Sequence, residues 1–165
     1  MDTNGIFFRA NVGALIINRR GEILVFERAD VKGAWQMPQG GLEPNELPLD
    51  AVLREIKEET AIPPEKLQLL GEASEWLAYE LPEQYRTSKT GRGQVQKWFL
   101  FRFIGTDEDI QPDQTEFNAW QWVEGPVLLQ STVSFRRPIY QRLLNEFESF
   151  FNKSSNGTSP SQAGS

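Results

Sequence analysis

Apolar positions along the chain change period several times, and each change marks an element. From Asn11 to Arg28 they are dense, NVGALIINRRGEILVFER, and break only at Arg19-Arg20-Gly21, which predicts two strands joined by a tight turn. From about Leu47 to Thr60 the spacing becomes helical, with Leu49, Val52, Leu53 and Ile56 on one side. Pro48 fits only because it falls in the first turn, and Pro63-Pro64 forbid any continuation. Leu67 to Leu81 reads as extended, and QVQKWFLFRFIG, Gln94 to Gly105, carries apolar residues on both alternating faces, as a central strand does. Phe117 to Val123 is a further strand, and Arg136 to Phe151 is an amphipathic helix with Ile139, Leu143 and Phe147 in one stripe. Helices on either side of a mixed sheet, an α/β sandwich, satisfy this order of elements.

The connections add turns and charge. AWQMPQGG, Ala34 to Gly41, interrupts regular structure with Pro38 and two glycines that admit close backbone turns. Pro82 to Gly93 is a polar loop with Arg86, Lys89 and Arg92; its Thr90-Gly91-Arg92-Gly93 is no Walker A motif, because no Gly-Lys-Ser/Thr follows, and it reads as a basic flap. The 165 residues suit one domain, placed at 1–151, and the Ser/Gly-rich segment 152–165 has too little to bury and is expected to be disordered. No run of apolar residues is long enough for a membrane span and no signal segment is visible. The chain has no cysteine, in keeping with a cytoplasmic protein, and nothing in it signals a membrane or a protein partner.

More restrictive is the absence of histidine. It removes the commonest general base and the commonest zinc ligand together, so acid–base or metal chemistry must run on carboxylates. These are hard donors suited to Mg²⁺ or Mn²⁺, and Mg²⁺ usually arrives with substrate phosphates. A net charge of −6 argues against a generic basic surface for nucleic acid, although a local basic patch, or cations on an acidic cluster, still attract polyphosphates.

One stretch concentrates the carboxylates. In REIKEETAI, Glu55, Glu58 and Glu59 lie at helical offsets of three and four, so they share a face about 100° wide beside the apolar stripe. Like charges so placed cost a few tenths of a kcal/mol per pair, only partly offset by Arg54 and Lys57. Bound cations would relieve that repulsion.

Upstream, Gly40 is followed after five residues by Glu46 and after seven more by Arg54, then Glu55, Ile56, Glu58, Glu59 and Ile62. Read together, Gly40 to Ile62 resembles the signature of the Nudix hydrolases, Gly-x5-Glu-x7-Arg-Glu-U-x-Glu-Glu-x-Gly-U with U a bulky aliphatic residue, and departs from it at Ala61, where the family has glycine. The resemblance implies a Nudix-type α/β/α sandwich and Mg²⁺ held through Glu55, Glu58 and Glu59, often with the Gly40 carbonyl. It also implies that Glu46 and Arg54 keep loop and helix in register.

Flanking segments, among them FRANVGALI, WLAYELP, GQVQKWFLF, TEFNAWQWV and TVSFRRPIY, resemble one branch: the asymmetrically cleaving dinucleoside tetraphosphate hydrolases and the related RNA 5′-pyrophosphohydrolases. That likeness implies a further metal-site or water-positioning carboxylate at Glu116 and phosphate contacts at Lys97, Arg9 and Arg28. It also implies base-stacking aromatics at Tyr79 and Phe135, with Arg136 beside the latter. The leading expectation is a metal-dependent hydrolase that splits diadenosine tetraphosphate into ATP and AMP, with Glu58, Glu59, Glu116 and Arg54 as the catalytic set. Removal of pyrophosphate from 5′-triphosphorylated RNA is the alternative. A catalytically silent nucleotide-binding module is a third reading, opposed by the intact Glu55, Glu58 and Glu59.

Overall fold

The computed structural model describes residues 7–151; the tail expected at 152–165 and the first six residues of the 1–151 domain lie outside it. Eight strands form one mixed sheet: β1 (Phe8–Ile17), β2 (Ile23–Arg28), β3 (Trp35–Gln36), β4 (Gln39–Gly41), β5 (Leu67–Glu72), β6 (Leu77–Glu80), β7 (Gly93–Phe103) and β8 (Phe117–Val123). Its spine is the parallel pair β1 and β7, in register from Phe8↔Gly93 to Ile17↔Arg102. β2 leaves β1 after the single pair Ile17↔Ile23 and continues between β8 and β3. The other half of that β1 edge is taken by β4, from Asn11↔Gly41 to Gly13↔Gln39. The sheet is therefore forked between β1 and β2.

Both faces of the sheet are covered, as alternation along β7 requires. Phe99, Phe101 and Phe103 join Val12, Ala14 and Ile16 of β1 in a core closed by α1 (Pro48–Thr60) through Ala51, Val52 and Ile56. Trp98 and Leu100 join Leu15 and Ile17 in a second core, closed by α2 (Gly125–Ser131) through Leu128 and by α3 (Arg137–Glu146) through Ile139, Tyr140 and Leu143. This is the α/β/α sandwich that the sequence predicts. No helix among the described residues is long and apolar enough to cross a membrane.

Several elements differ from the sequence reading: β1 begins at Phe8 rather than Asn11, and AWQMPQGG, read as an interruption of regular structure, supplies the short strands β3 and β4. The extended stretch Leu67–Leu81 is two strands, broken at 73–76 where Glu146 of α3 accepts the Ser74 amide at 2.8 Å and Arg142 pairs with Glu75 at 2.8 Å. The closing helix begins at Arg137 after a 3₁₀ turn at Ser134–Arg136, stops at Phe147 (φ −105°, ψ 25°), and resumes as the one-turn α4 (Glu148–Phe151). Helix α2 was not anticipated: with seven residues, of which Leu128 alone is buried, it has no periodicity to detect.

α1 starts and ends on backbone conformation rather than side-chain caps. Leu47 is extended, Pro48 supplies a fixed φ in the first turn, and Ala61 adopts the left-handed conformation (φ 69°, ψ 1°) with its N–H donating to the Lys57 carbonyl at 3.0 Å. Thr60 adds a side-chain bond to the Ile56 carbonyl at 2.7 Å and accepts the Ile62 amide at 3.2 Å.

Candidate active site

α1 buries Ala51, Val52 and Ile56, which carries Glu55 against Gly40 of β4, with Glu59 one turn further along the same helix. The two glycines of β4 make that approach feasible. A Cβ on Gly40 would collide with the Glu55 carboxylate, and one on Gly41 with the Arg9 guanidinium. Arg54 ties the helix to the preceding loop. It donates to both Glu46 oxygens at 2.8 and 2.9 Å, to the Gly41 carbonyl at 3.1 Å, to Glu55 at 3.0 Å and to Glu58 at 3.4 Å. The Arg54 hydrogen bonds hold the Glu46 carboxyl down to about 2, and Glu46 in turn raises Arg54.

The three helix carboxylates have unequal surroundings. Glu59 is 7% exposed, the Glu55 side chain 14%, and the Glu58 side chain 59%. Burial, then the charge of Glu55 and the hydrogen bond shared with it, then Glu116 and Asp113, push Glu59 up to about 10. Burial also raises Glu55, opposed by its bonds to Glu59 and Arg54. Without a cation this pair shares a proton. One Glu59 oxygen, Oε1, is buried with no hydrogen-bond partner, an arrangement that costs free energy unless something occupies it. Among the described residues no three acidic side chains converge as a ready-made cation cage, because Glu58 is turned outward toward Arg54. The buried pair, with hard oxygens, one orphaned acceptor and a proton a cation can displace, nevertheless fits a divalent ion.

A loop brings the fourth acid. Gln111 and Asp113 donate backbone N–H bonds to the Thr60 and Glu59 carbonyls at 2.8 and 3.1 Å, strapping the segment before β8 to the end of α1. Asp113 Oδ1 then accepts the amides of Thr115, Glu116 and Phe117 at 3.1, 2.9 and 3.1 Å. Glu116 thus stands exposed at the rim beside Glu59. The sequence reading missed Asp113; an Asp two to four residues ahead of the amides it caps was the available signal.

The fork between β1 and β2 opens into a cleft of about 180 Å³. It is lined by Gly40 and Glu116, by three guanidiniums, those of Arg9, Arg28 and Arg136, and by carboxamides that include Gln39 and Gln94. Arg28 is held by Asp30 in a two-point contact at 3.0 and 2.8 Å, which keeps the Asp30 carboxyl below its ordinary range. Arg136 is different: its carbon Cζ sits 5.1 Å from the Phe135 ring centroid, and its Nε and Nη1 are buried donors with no partner. Phe135 stacks on Tyr79 at 5.8 Å and 26°, and the Tyr79 hydroxyl donates to Gln94 at 3.0 Å. Lys97 does not reach the cleft. Its ammonium donates to the Ala73 carbonyl at 2.8 Å and pairs with Glu72 at 3.2 Å, so the cost of a charge in an apolar strand is met inside the protein. A larger cavity, about 550 Å³, lies among Arg20, Glu124, Leu144 and Phe151, away from all of these groups. Size alone does not locate the site.

The match to a known domain decides the family. The NUDIX domain profile covers residues 7–143, from the start of β1 into α3. The chain belongs to the Nudix family. Curated relatives named RNA pyrophosphohydrolase include one from Zymomonas mobilis, 44% identical over 146 residues (85% of this chain and 94% of the relative), and one from Rhodospirillum rubrum, 44% identical over 151 residues (88% and 90%). Among solved structures, an E. coli dihydroneopterin triphosphate pyrophosphohydrolase aligns with TM-score 0.70 at 22% identity over 84% of this chain and 98% of its own. A C. elegans Ap4A hydrolase in binary complex aligns with TM-score 0.67 at 23% identity over 86% and 98%. At such identities these structures establish the fold. With the curated relatives, the Nudix protein is a pyrophosphohydrolase.

Proposed function

We propose that this Nudix protein removes pyrophosphate from the 5′-triphosphate end of RNA, leaving a 5′-monophosphate. The observation that carries the reading is a juxtaposition: a buried acid pair suited to a divalent ion opens onto a cleft whose Arg136 presents two unpartnered donors. A cation such as Mg²⁺, or Mn²⁺, would be held by Glu55 and Glu59, with Glu58, Glu116 and the Gly40 carbonyl as the further oxygen donors, and would supply charge neutralisation on the polyphosphate and a more acidic water. The protein's own groups do the rest. Arg136 and Arg9 bind phosphate oxygens, and Arg28 joins them by exchanging Asp30 for phosphate. Arg54 and Glu46 keep Glu55 aimed at β4, while exposed Glu116 takes the proton of the attacking water. Tyr79 and Phe135, stacked on each other, form an aromatic wall beside the cleft against which the nucleoside side of the substrate lies.

The order of substrates is the reverse of the sequence reading, which led with diadenosine tetraphosphate. Relatives at 44% identity carry the RNA name, whereas the Ap4A hydrolase likeness rests on 23% identity and speaks for the fold. The test is a parallel assay with Mg²⁺ on a triphosphorylated oligoribonucleotide, diadenosine tetraphosphate and ADP-ribose. Pyrophosphate release from the RNA, at a kcat/KM above that for the dinucleotide, is the expected result. Glu58→Gln or Glu59→Gln lowers it by orders of magnitude with the fold retained. Near wild-type rates in both variants would remove the helix carboxylates from the mechanism, and turnover of none of the three substrates would favour a silent binding module.

A further inference from the structure

We infer that Tyr85 is a nucleobase platform that selects for RNA extending beyond its first nucleotide; the inference rests on the reading of the substrate as a 5′-triphosphorylated RNA. Tyr85 closes a 3₁₀ turn, Glu83–Tyr85, at the base of the basic flap, and it is 54% exposed. Its ring lies 5.8 Å from that of Phe135, tilted by 44°. Phe135 in turn stacks on Tyr79 and carries Arg136, which lines the cleft. Aromatic surface therefore runs without a gap from the phosphate cleft to solvent, and Tyr85 is its open end. A base cannot enter the array. Sandwiching one needs roughly 7 Å between rings, twice the ~3.4 Å rise of stacked bases, and the two Phe135 spacings are both 5.8 Å. It can add only at the exposed end.

The flap holds that end in place before any ligand arrives. The Tyr85 amide donates to the Pro82 carbonyl at 2.8 Å, Arg86 donates to the Leu81 carbonyl at 2.9 Å, and Arg86 and Arg92 both pair with Glu80 at 3.3 Å. Thr87 and Thr90 accept each other's backbone amides at 3.0 and 2.9 Å across the tip. Lys89, exposed on the same tip, adds a positive charge where the sugar–phosphate chain would leave. An ordered, exposed aromatic beside a cation is how single strands are bound without sequence preference, and its ordering cost is met before binding.

The test uses the Mg²⁺-loaded enzyme with a triphosphorylated octaribonucleotide as substrate and ATP as a competing ligand. Tyr85→Ala is expected to raise KM for the octamer by about 5- to 100-fold, from the ordinary worth of one base stack. The inhibition constant of ATP, which has no second nucleotide, should move less than about threefold on the same scale. Tyr85→Trp should restore the octamer KM, and Tyr85→Leu should resemble Tyr85→Ala. Unchanged KM in Tyr85→Ala, or equal losses for octamer and ATP, overturns the inference and leaves the substrate reading standing. A wild-type enzyme that turns over no triphosphorylated RNA overturns both.

Discussion

Glu59 makes the metal-free protein sensitive to pH in a direction that the structure fixes. Its carboxyl is pushed from 4.5 to about 10 by burial, by Glu55 beside it on α1, and by Glu116 and Asp113 facing it from the loop before β8. Arg54 reaches it only indirectly, through Glu55. The folded state thus binds this proton more tightly than the unfolded chain does. The stabilisation is fully present below pH 4.5 and is lost progressively as the pH rises toward 10. At about 1.4 kcal/mol per pH unit, the loss is on the order of 3 kcal/mol by neutrality. Glu59→Gln removes the titration while keeping shape and burial. In EDTA, thermal unfolding followed by tryptophan fluorescence should show the variant gaining on the wild type by about 3–5 °C for each pH unit between about 5.5 and 8.5. Saturating Mg²⁺ should reverse the order, because the cation takes the place of the proton in the wild type and finds a neutral amide in place of the buried carboxylate at position 59 of the variant. The Mg²⁺-induced rise in wild-type Tm should itself grow with pH. A difference between the two proteins that stays flat with pH, or equal Mg²⁺ stabilisation of both, would refute the shared-proton account.

Two further substitutions probe the backbone around the same carboxylates. Gly40→Ala places a methyl group against the Glu55 carboxylate, so Glu55 must leave its 3.0 Å bond to Arg54. Activity should fall by at least about 100-fold, the scale on which a misplacement near 1 Å acts, while circular dichroism reports an intact fold; a variant with a third or more of wild-type kcat/KM would show that the close approach is dispensable. Ala61→Gly relieves a left-handed alanine at φ 69°. Strain relief of about 1–2 kcal/mol, less about 0.4–1 kcal/mol for a more flexible unfolded chain, leaves a gain of about 1 kcal/mol or 2–4 °C in Tm with kcat unchanged, and a lower Tm would contradict the strain assignment.

The parts of the site legible from sequence were those fixed by a period within one element. Glu55, Glu58 and Glu59 share a helix face because offsets of three and four must, and the aromatics of β7 had to be covered on both sides because they alternate. Their local environments were not legible. Nothing in the spacing says that Glu59 is buried while Glu58 reaches solvent; that comes from how α1 sits on the sheet and from the segment before β8 that is strapped to its end. Lys97 looked costly without a phosphate, but Ala73 and Glu72, brought beside it by the return of β5, meet the need. Arg28 drew attention as an arginine, while Asp30 two residues later already held it. Tyr85 and Asp113 belong to short irregular segments whose value depends on contacts with Phe135 and with the end of α1, neither of which a window of sequence contains.

The cleft itself exists because β2 leaves β1 after one residue pair and β4 occupies the vacated edge. That fork separates charges that the composition leaves mixed. Guanidiniums of Arg9, Arg28 and Arg136 line it with the carboxamides of Gln39 and Gln94, Glu116 joins them from the loop before β8, and the other acids stand on α1. Arg54 compensates Glu46 and part of Glu55 and Glu58, so the negative charge that remains is that of the Glu55–Glu59 pair, which keeps one proton between its two carboxylates, together with exposed Glu116. A polyphosphate approaching a chain of net charge −6 meets its strongest local repulsion at that point, where a divalent ion would cancel it. Cation and substrate must then strengthen each other's binding, and by linkage the two enhancements are equal. In a chain without histidine, this reciprocity allows one acidic helix both to repel phosphate and, once loaded, to recruit it.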